Sequence, residues 1–171
     1  MVVTTKWVGE YTIISDAKTY IQWSAKKLKI NDAFFRNEKK LSTWKLNRGQ
    51  IRTCFFGENI GYEKSKLEAR PCIIVSCQQI NHESGNVIVV PLSKNIKYIS
   101  GTDQLKYPYH YVLKKSEYPN LAFDSAVQCE DIRCVSKARL CNYICNVKPD
   151  DMKEIRKRLK NALQIWQIVV W

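Results

Sequence analysis

The chain has 171 residues, enough for one compact domain with its own core or for a small domain with an extension, but hardly for two large domains. With 45% hydrophobic and 26% charged residues, its composition argues against wholesale disorder and against a membrane-spanning architecture. Twenty-eight lysines and arginines against 16 aspartates and glutamates give a formal charge of +12, a field that gathers polyanions such as RNA and DNA.

The seven cysteines indicate a reduced, cytoplasmic protein rather than a disulfide framework. Their number is odd, and the first twenty residues are interrupted by charges and offer no apolar stretch typical of a secretory leader. A zinc site is the competing use of cysteine, but no Cys-x-x-Cys pair is present, and only His82 and His110 could assist. We therefore expect buried thiols that act as small core residues, and no metal or other cofactor.

Residues 1–46 are predicted to form a basic, helical N-terminal extension. The stretch 15–41 lacks Gly and Pro and is rich in Lys and Ala, which indicates a helix capped near Ser15 or Asp16 and broken around residues 31–32.

Two roles are open for this extension. It could be a basic arm that contacts RNA or a partner protein, or an amphipathic helix that packs Tyr20, Trp23 and Leu28 against the main domain while its lysines remain in water.

From Arg48 onward the sequence changes to short apolar, β-branched runs separated by turn residues. Five such runs predict five strands and, in series, a small antiparallel barrel or a strongly bent sheet. The runs are QIRTCFF (50–56), RPCIIVS (70–76), NVIVVPLS (86–93), HYVLKK (110–115) and SAVQCEDIRCVS (125–136).

After Pro149 the pattern switches to that of a helix. Asp150 and Asp151 suit a helix start electrostatically, and apolar residues follow at three- or four-residue steps, namely Met152, Ile155, Leu159 and Leu163. This helix should lie across the barrel. The terminal segment ALQIWQIVVW (162–171) is too short to span a bilayer and should pack on the barrel or at a subunit interface.

Two polar side chains at strand ends form a candidate anion site. Arg70 precedes Pro71, which favours extended backbone and predicts that its side chain projects from a sheet end. Ser93 ends the next run, where Pro91 cannot donate a ladder hydrogen bond and so predicts an edge or fraying position. If the two runs pair as a hairpin around the turn CQQINHESG, Arg70 and Ser93 come together.

A guanidinium and a hydroxyl together suit a phosphate group, because the arginine fork supplies two charge-assisted hydrogen bonds and the hydroxyl a third. The alternative is structural: Arg70 could pair with Glu68 or Glu130, and Ser93 could be a turn residue.

Four segments in series resemble the MazF/PemK family of toxin endoribonucleases, over roughly residues 47–165. They are RGQI (48–51), GYEKSKLEARP (61–71), VVPLS (89–93) and IRCVSKARL (132–140). The resemblance implies a mainly β fold with helices, an SH3-like small antiparallel β-barrel of the CcdB/PemK type with a C-terminal helix, spanning residues 47–171 after the extension.

The resemblance also implies a function. Family members are cytoplasmic homodimers that cut single-stranded RNA, typically mRNA, without metal and leave a 2′,3′-cyclic phosphate and a 5′-hydroxyl. An acidic antitoxin peptide neutralises them, and toxin and antitoxin together bind DNA.

Carried over by position, the family's catalytic residues fall on Arg70, Ser93 and Glu63. Ser93 replaces a threonine and keeps the hydroxyl, whereas Tyr62 and Lys64 replace a serine and a glutamine beside the loop glutamate, and Asp131 replaces a glutamine. The loop before Arg70 is longer than usual, so Glu68 could stand in for Glu63.

Lysines interleaved with aromatic residues predict an RNA-binding surface, since unpaired bases stack on rings while ammonium groups follow the backbone. The alternative for the tyrosines is that they fill the core, and the alternative for His110 is a surface strand residue. The candidate RNA-binding residues are Lys64, Lys66, Lys94, Asn95, Lys97, Tyr107 and His110.

A different class of function is also open. The same barrel could be a non-catalytic module that binds a protein target, as topoisomerase poisons do, or that binds nucleic acid without cleaving it. In that case the C-terminal helix would be needed and Arg70 would be dispensable.

Overall fold

The computed structural model describes residues 3–6, 10–13, 17–61, 63 and 65–165. The chain starts with two short antiparallel strands, β1 (Val3–Lys6) and β2 (Glu10–Ile13), in which Val3 lies opposite Ile13. The sequence predicted only a helix in this extension, so the strand pair was missed.

The predicted N-terminal helix is present as α1 (Ala17–Ser42). The expected caps, Ser15 and Asp16, lie outside the described residues. The expected break around residues 31–32 is wrong, because the non-helical backbone is at Asn37 (φ −122°, ψ 16°). The Asn37 side-chain amide donates to the Ala33 carbonyl at 2.8 Å, which is the local competition that makes Asn a poor residue inside helices.

Seven further strands form one antiparallel sheet with the order β6-β7-β5-β4-β3-β9, and β8 also pairs with β5. The antiparallel, strand-rich architecture is therefore confirmed, but two boundaries are corrected. The run 125–136 is two strands separated by a 3-10 turn at residues 129–131, and the last strand was missed. The strands are β3 (Gln50–Cys54), β4 (Arg70–Ile74), β5 (Asn86–Ser93), β6 (His110–Leu113), β7 (Ser125–Gln128), β8 (Arg133–Ser136) and β9 (Leu140–Asn146).

Strand β5 is the centre of the sheet. One edge pairs with β4, while the other edge pairs with β8 up to Val89 and then with β7 from Leu92. The backbone hydrogen-bonding groups of successive strand residues point alternately to the two edges of the strand. Those of Ile88 point to β4, so those of Pro91, three residues further on, point to the opposite edge, between the segments paired with β8 and β7. The expectation of an edge position at Pro91 is wrong: a central strand tolerates it because the neighbouring strand is interrupted there.

The turn between β4 and β5 contains a short helix, α2 (Gln78–Glu83), rather than the simple turn expected for CQQINHESG. His82 therefore lies in a helix. The buried Asn81 amide donates to the Ser76 carbonyl at 3.1 Å and holds α2 against the end of β4.

Two apolar clusters line the two faces of the sheet, as the alternation along each strand requires. In β4, Ile73 belongs to one cluster, and Cys72 and Ile74 belong to the other. Three of the seven cysteines, Cys54, Cys72 and Cys129, are buried, which confirms the expectation of core thiols for these positions.

The C-terminal helix α3 (Pro149–Leu163) is confirmed and covers the first cluster with Ile155 and Leu159. Its Asp151 carboxylate accepts hydrogen bonds from the hydroxyls of Tyr111 and Tyr118, which tie the helix start to the sheet. Leu163, by contrast, is exposed, so the predicted apolar stripe ends one turn early. No helix among the described residues is long and apolar enough to cross a membrane.

The extension packs on the seven-stranded sheet and its C-terminal helix, residues 47–165, here called the sheet domain. The contact is made by Trp23, which is buried. Its ring lies against Gly57, and the Arg139 guanidinium lies 5.4 Å from the ring centre. The packing expected for Tyr20 and Leu28 is wrong, since both side chains are largely exposed. A single aromatic anchor, rather than a continuous apolar stripe, docks this end of α1.

Gly57→Ala tests this anchor. Gly57 has φ +83°, and a Cβ there would lie 2.1 Å from the Trp23 ring, so we expect a loss of about 3 kcal/mol or more in the free energy of unfolding. Gly101→Ala is the matched control: its φ is +75° but nothing lies within 4 Å, so about 1 kcal/mol is expected. Urea titration measures both. In a Trp23→Ala background, the cost of Gly57→Ala should fall to that of the control, and an unchanged cost would contradict the anchor.

Candidate active site

Pairing of β4 with β5 brings Arg70 and Ser93 to the same end of the sheet. Cys72 lies opposite Pro91 in the antiparallel register, which places Arg70 opposite Ser93 two residues further along. The hairpin geometry expected from the sequence is therefore confirmed.

Arg70 and Ser93 line a cavity of about 310 Å³, here called the arginine cavity. Lys66, Lys94 and Asn95 line it as well, with Phe123 in its wall. The Lys94 ammonium lies 5.6 Å from the centre of the Phe123 ring. The cavity thus collects cationic groups and hydrogen-bond donors, which suits an anion of phosphate size.

A second cavity of about 350 Å³, here called the histidine cavity, shares Ser93 and Asn95 with the first. Two of its tyrosines stack, with the ring centres of Tyr107 and Tyr109 5.7 Å apart and their planes 22° apart. The two cavities are adjacent because they share Ser93 and Asn95, and together they are here called the groove. The remaining lining residues are Lys97, His110, Gln128 and Glu130.

His110 is buried, with 2% of its surface exposed, so the interpretation as a surface strand residue is wrong. It lies opposite Gln128 in the pairing of β6 with β7, under the stacked tyrosines. Its Nε2 lies 2.7 Å from a Glu130 carboxylate oxygen. A carboxylate only accepts, so Nε2 carries the hydrogen, while Nδ1 is buried without a hydrogen-bond partner among the described residues.

The alternative ion pairs considered for Arg70 are not formed. Glu130 bonds to His110, and Glu68 lies 3.7 Å from Lys66. The pKa of Arg70 is lowered on balance. Partial burial is the main cause and Arg133 adds to it, while the nearby Asp131 carboxylate acts in the opposite direction. A guanidinium keeps its proton throughout the neutral pH range, so Arg70 remains a cation and is available to an anion.

The loop glutamate does not join Arg70 and Ser93. Glu63 is exposed, and its carboxylate accepts a hydrogen bond from the Ile60 backbone amide at 3.4 Å, within its own loop. It lines neither cavity. Lys64, the only predicted RNA-binding residue not placed in the groove, lies outside the described residues, as does Tyr62.

The sequence interpretation missed Glu130, Tyr109 and Gln128 as groove residues. It took residues 125–136 as one strand, whereas the 3-10 turn at residues 129–131 redirects the chain and turns Glu130 toward His110. The polar pair Glu130 and Asp131 within an apolar run was the available signal. Within the described residues, no three His, Cys, Asp or Glu side chains are grouped so that they could hold a metal ion.

Residues 47–163 match the family model described as the PemK-like, MazF-like toxin of type II toxin-antitoxin system. Endoribonuclease MazF9 from Mycobacterium tuberculosis (strain ATCC 25618 / H37Rv) is 28% identical over 102 residues, which cover 57% of this chain and 80% of the relative.

Solved structures show the same fold. An endoribonuclease from a mycobacterial species matches with a TM-score of 0.54 and 24% identity, covering 72% of this chain and 97% of that chain. A MazE-MazF structure from Deinococcus radiodurans matches with a TM-score of 0.54 and 17% identity, covering 72% of this chain and 100% of that chain. The expected SH3-like architecture of the CcdB/PemK type is confirmed by these likenesses and by the sheet with its C-terminal helix.

Thiol reactivity tests how closely the core is packed at the 3-10 turn of residues 129–131. Burial, and then the nearby Glu130 carboxylate, raise the pKa of Cys129 to about 12. The thiolate is the reactive form, so at about pH 8 Cys129 should resist iodoacetamide in the folded protein. The exposed Cys77 and Cys134 serve as internal controls and should be alkylated. Peptide mass mapping reads out each site, and rapid modification of Cys129 without unfolding would show that this turn opens.

Proposed function

The chain belongs to the PemK-like, MazF-like toxin family of type II toxin-antitoxin systems, and from this premise we propose that it is a metal-independent endoribonuclease that cuts single-stranded RNA. The observation that carries the proposal is the groove in which Arg70 and Ser93 meet beside stacked tyrosines. A surface used only for docking would not need a phosphate-binding pair at one end of a sheet.

The groove suits one strand of RNA. Lys66, Lys94 and Lys97 lie along it and would neutralise successive phosphates, while Asn95 lies where the two cavities meet. Tyr107 and Tyr109 offer ring faces on which unpaired bases stack, a contact worth about 1–3 kcal/mol per base. Lys64 belongs to the same proposed set through its position in the sequence.

Cleavage would proceed by attack of the 2′-hydroxyl on the neighbouring phosphorus. A bond forms between O2′ and phosphorus, the bond from phosphorus to O5′ breaks, and the products carry a 2′,3′-cyclic phosphate and a 5′-hydroxyl. Arg70 would stabilise the charge that develops on the phosphorane, and Ser93 would hold a phosphate oxygen. The proton leaving O2′ passes to a carboxylate, and the departing O5′ takes its proton from solvent water.

Glu68, the stand-in considered for Glu63, lines neither cavity and lies 3.7 Å from Lys66, which leaves two carboxylates to compete for the role of proton acceptor. Glu63 is the residue indicated by the family resemblance, and it would reach the substrate only if its loop closed over the RNA. Glu130 lines the groove, and the hydrogen bond from His110 Nε2 fixes its orientation. We propose Glu130 as the acceptor in the open groove, because it needs no loop movement to approach a phosphate held at Ser93.

The same proposal includes the partners of a toxin. We propose that the chain acts as a homodimer in the cytoplasm, that an acidic antitoxin peptide occupies the groove, and that toxin and antitoxin together bind DNA. Supporting observations are the formal charge of +12, the seven free cysteines and the likeness to a protein whose structure contains both MazE and MazF.

Arg70→Ala tests the nuclease directly. Purified protein and variant are incubated with a long single-stranded RNA in excess EDTA, and the fragment ends are mapped. We expect cleavage at a recurring short sequence with 5′-hydroxyl ends, and a loss of about 10² to 10³ in rate for the variant. Arg156→Ala, which removes an exposed arginine of α3, is the matched control and should cleave normally. Intact RNA from folded, antitoxin-free protein would favour the non-catalytic docking module instead.

Glu130→Gln and Glu63→Gln separate the two candidate acceptors. If Glu130 accepts the proton, Glu130→Gln should lower the cleavage rate by about 10² to 10⁴ and remove the acidic limb of the pH-rate profile, because that limb reports protonation of the base. Glu63→Gln should keep both the rate and the limb. The reverse outcome would assign the role to Glu63 and show that its loop closes during the reaction.

A further inference from the structure

The N-terminal helix α1 leaves two apolar clefts between itself and the sheet domain. Toward its start the helix is docked: Trp23 lies on Gly57, and the Lys26 ammonium donates to the Leu67 carbonyl at 3.0 Å and lies 4.0 Å from the centre of the Phe55 ring. Beyond Lys26, Ile30 and Phe34 are half-buried and face Ala138, and a cleft lies on each side of these two residues.

The first cleft, of about 710 Å³, lies toward Trp44 and Leu140 and is here called the Trp44 cleft. The second, of about 620 Å³, lies toward Ser136 and is here called the Ser136 cleft. Ile30 and Phe34 on α1, and Ala138 on the sheet domain, form walls of both. Each cleft has the volume of a typical ligand site, large enough for several buried side chains.

The floors of the clefts are mainly apolar and their charged groups are all basic. Lys26, Lys29 and Lys40 line the Trp44 cleft, while Lys27 and Arg139 line the Ser136 cleft. No aspartate or glutamate is among the described residues that line either one. Residues 17–46 carry eight basic and two acidic residues, so this excess extends along the whole helix.

We propose that the two clefts bind an acidic, amphipathic peptide segment of a partner protein. Its apolar side chains would enter on the two sides of Phe34, and its carboxylates would meet the lysines at the rims. This site is separate from the groove of Arg70 and Ser93, and the proposal does not depend on ribonuclease activity.

Charge argues against the other obvious occupants. A second copy of the chain would bring another +12 molecule against this basic surface, so like charges would oppose a dimer formed here. RNA would meet the lysines, but the two rings in the clefts already have partners: the Arg52 guanidinium lies 4.6 Å from the centre of the Trp44 ring, and Phe34 packs edge-on against Phe35. The other large apolar residues of the Trp44 cleft, Ile30, Leu41 and Leu140, are aliphatic and offer no ring on which a base could stack. An acidic peptide with apolar side chains matches both the apolar floor and the basic rim of each cleft.

A model peptide tests the proposal on the full chain. The probe is a fluorescently labelled peptide of about 15 residues, in which leucines follow helical spacing and glutamates fill the other positions. Controls are a peptide of the same composition in scrambled order, a version with lysine in place of glutamate, and a 2′-O-methylated RNA oligonucleotide, which lacks the attacking hydroxyl. We expect the patterned acidic peptide to bind at least about tenfold more tightly than either control peptide.

Two pairs of variants locate the binding. Phe34→Asp places a charge in the wall shared by both clefts and should weaken binding about tenfold or more, whereas Phe35→Asp changes the neighbouring, largely exposed ring and should not. Lys29→Glu should weaken binding about threefold to tenfold, and Lys18→Glu, outside both clefts, should have little effect. Thermal unfolding of each variant confirms that it is folded.

Several outcomes would overturn the proposal. Equal binding of patterned and scrambled peptides would show that charge alone is responsible. Binding that Phe34→Asp leaves unchanged would place the site elsewhere, and tight binding of the RNA oligonucleotide that Lys29→Glu removes would identify a nucleic-acid surface. Because binding is measured without RNA cleavage, failure here is distinguishable from failure of the nuclease.

Discussion

The antiparallel pairing of β4 with β5 is the contact on which the rest of the structure depends. Its register places Cys72 opposite Pro91, and therefore Arg70 opposite Ser93 at the end of the sheet. A shift of one residue would send every side chain of β5 to the other face and would separate the guanidinium from the hydroxyl. The register is fixed because Ile73 and Val90 lie in one apolar cluster while Cys72 and Val89 lie in the other.

Strand β5 also explains how the groove acquires its second half. Its partner changes from β8 to β7 near Pro91, and the 3-10 turn between those two strands carries Glu130. That turn brings the carboxylate to His110, which is buried beneath the stacked tyrosines. The change of partner from β8 to β7 therefore accounts both for the proline in the central strand and for the position of Glu130 beside the buried His110. The arginine and histidine cavities meet at Ser93, near the end of the same strand.

The extension adds a surface to this fold without entering its core. Trp23 and Lys26 dock one end of α1, and the rest of the helix forms walls of two lysine-rimmed clefts. Trp44 and Leu46, which follow the helix, pack with the second apolar cluster, so the extension and the sheet domain are continuous at this point. Of the other apolar side chains of α1, Ile30, Phe34 and Leu41 are half-buried in the cleft walls, whereas Ile21, Leu28 and Phe35 are exposed.

Local patterns in the sequence were enough to predict the strand-rich class, both long helices, the β4 and β5 pairing and the Arg70 and Ser93 pair, because alternation, capping and turn signals are local properties of the chain. It did not determine the strand pair β1 and β2, the last strand β9, the 3-10 turn, or the burial of His110. Those features depend on which distant segments meet: the ladder position of Pro91 depends on two other strands, and the environment of His110 depends on residues 107, 109 and 130. They become visible only in the folded chain, because packing and buried hydrogen bonds stabilise contacts between elements that no local sequence pattern relates.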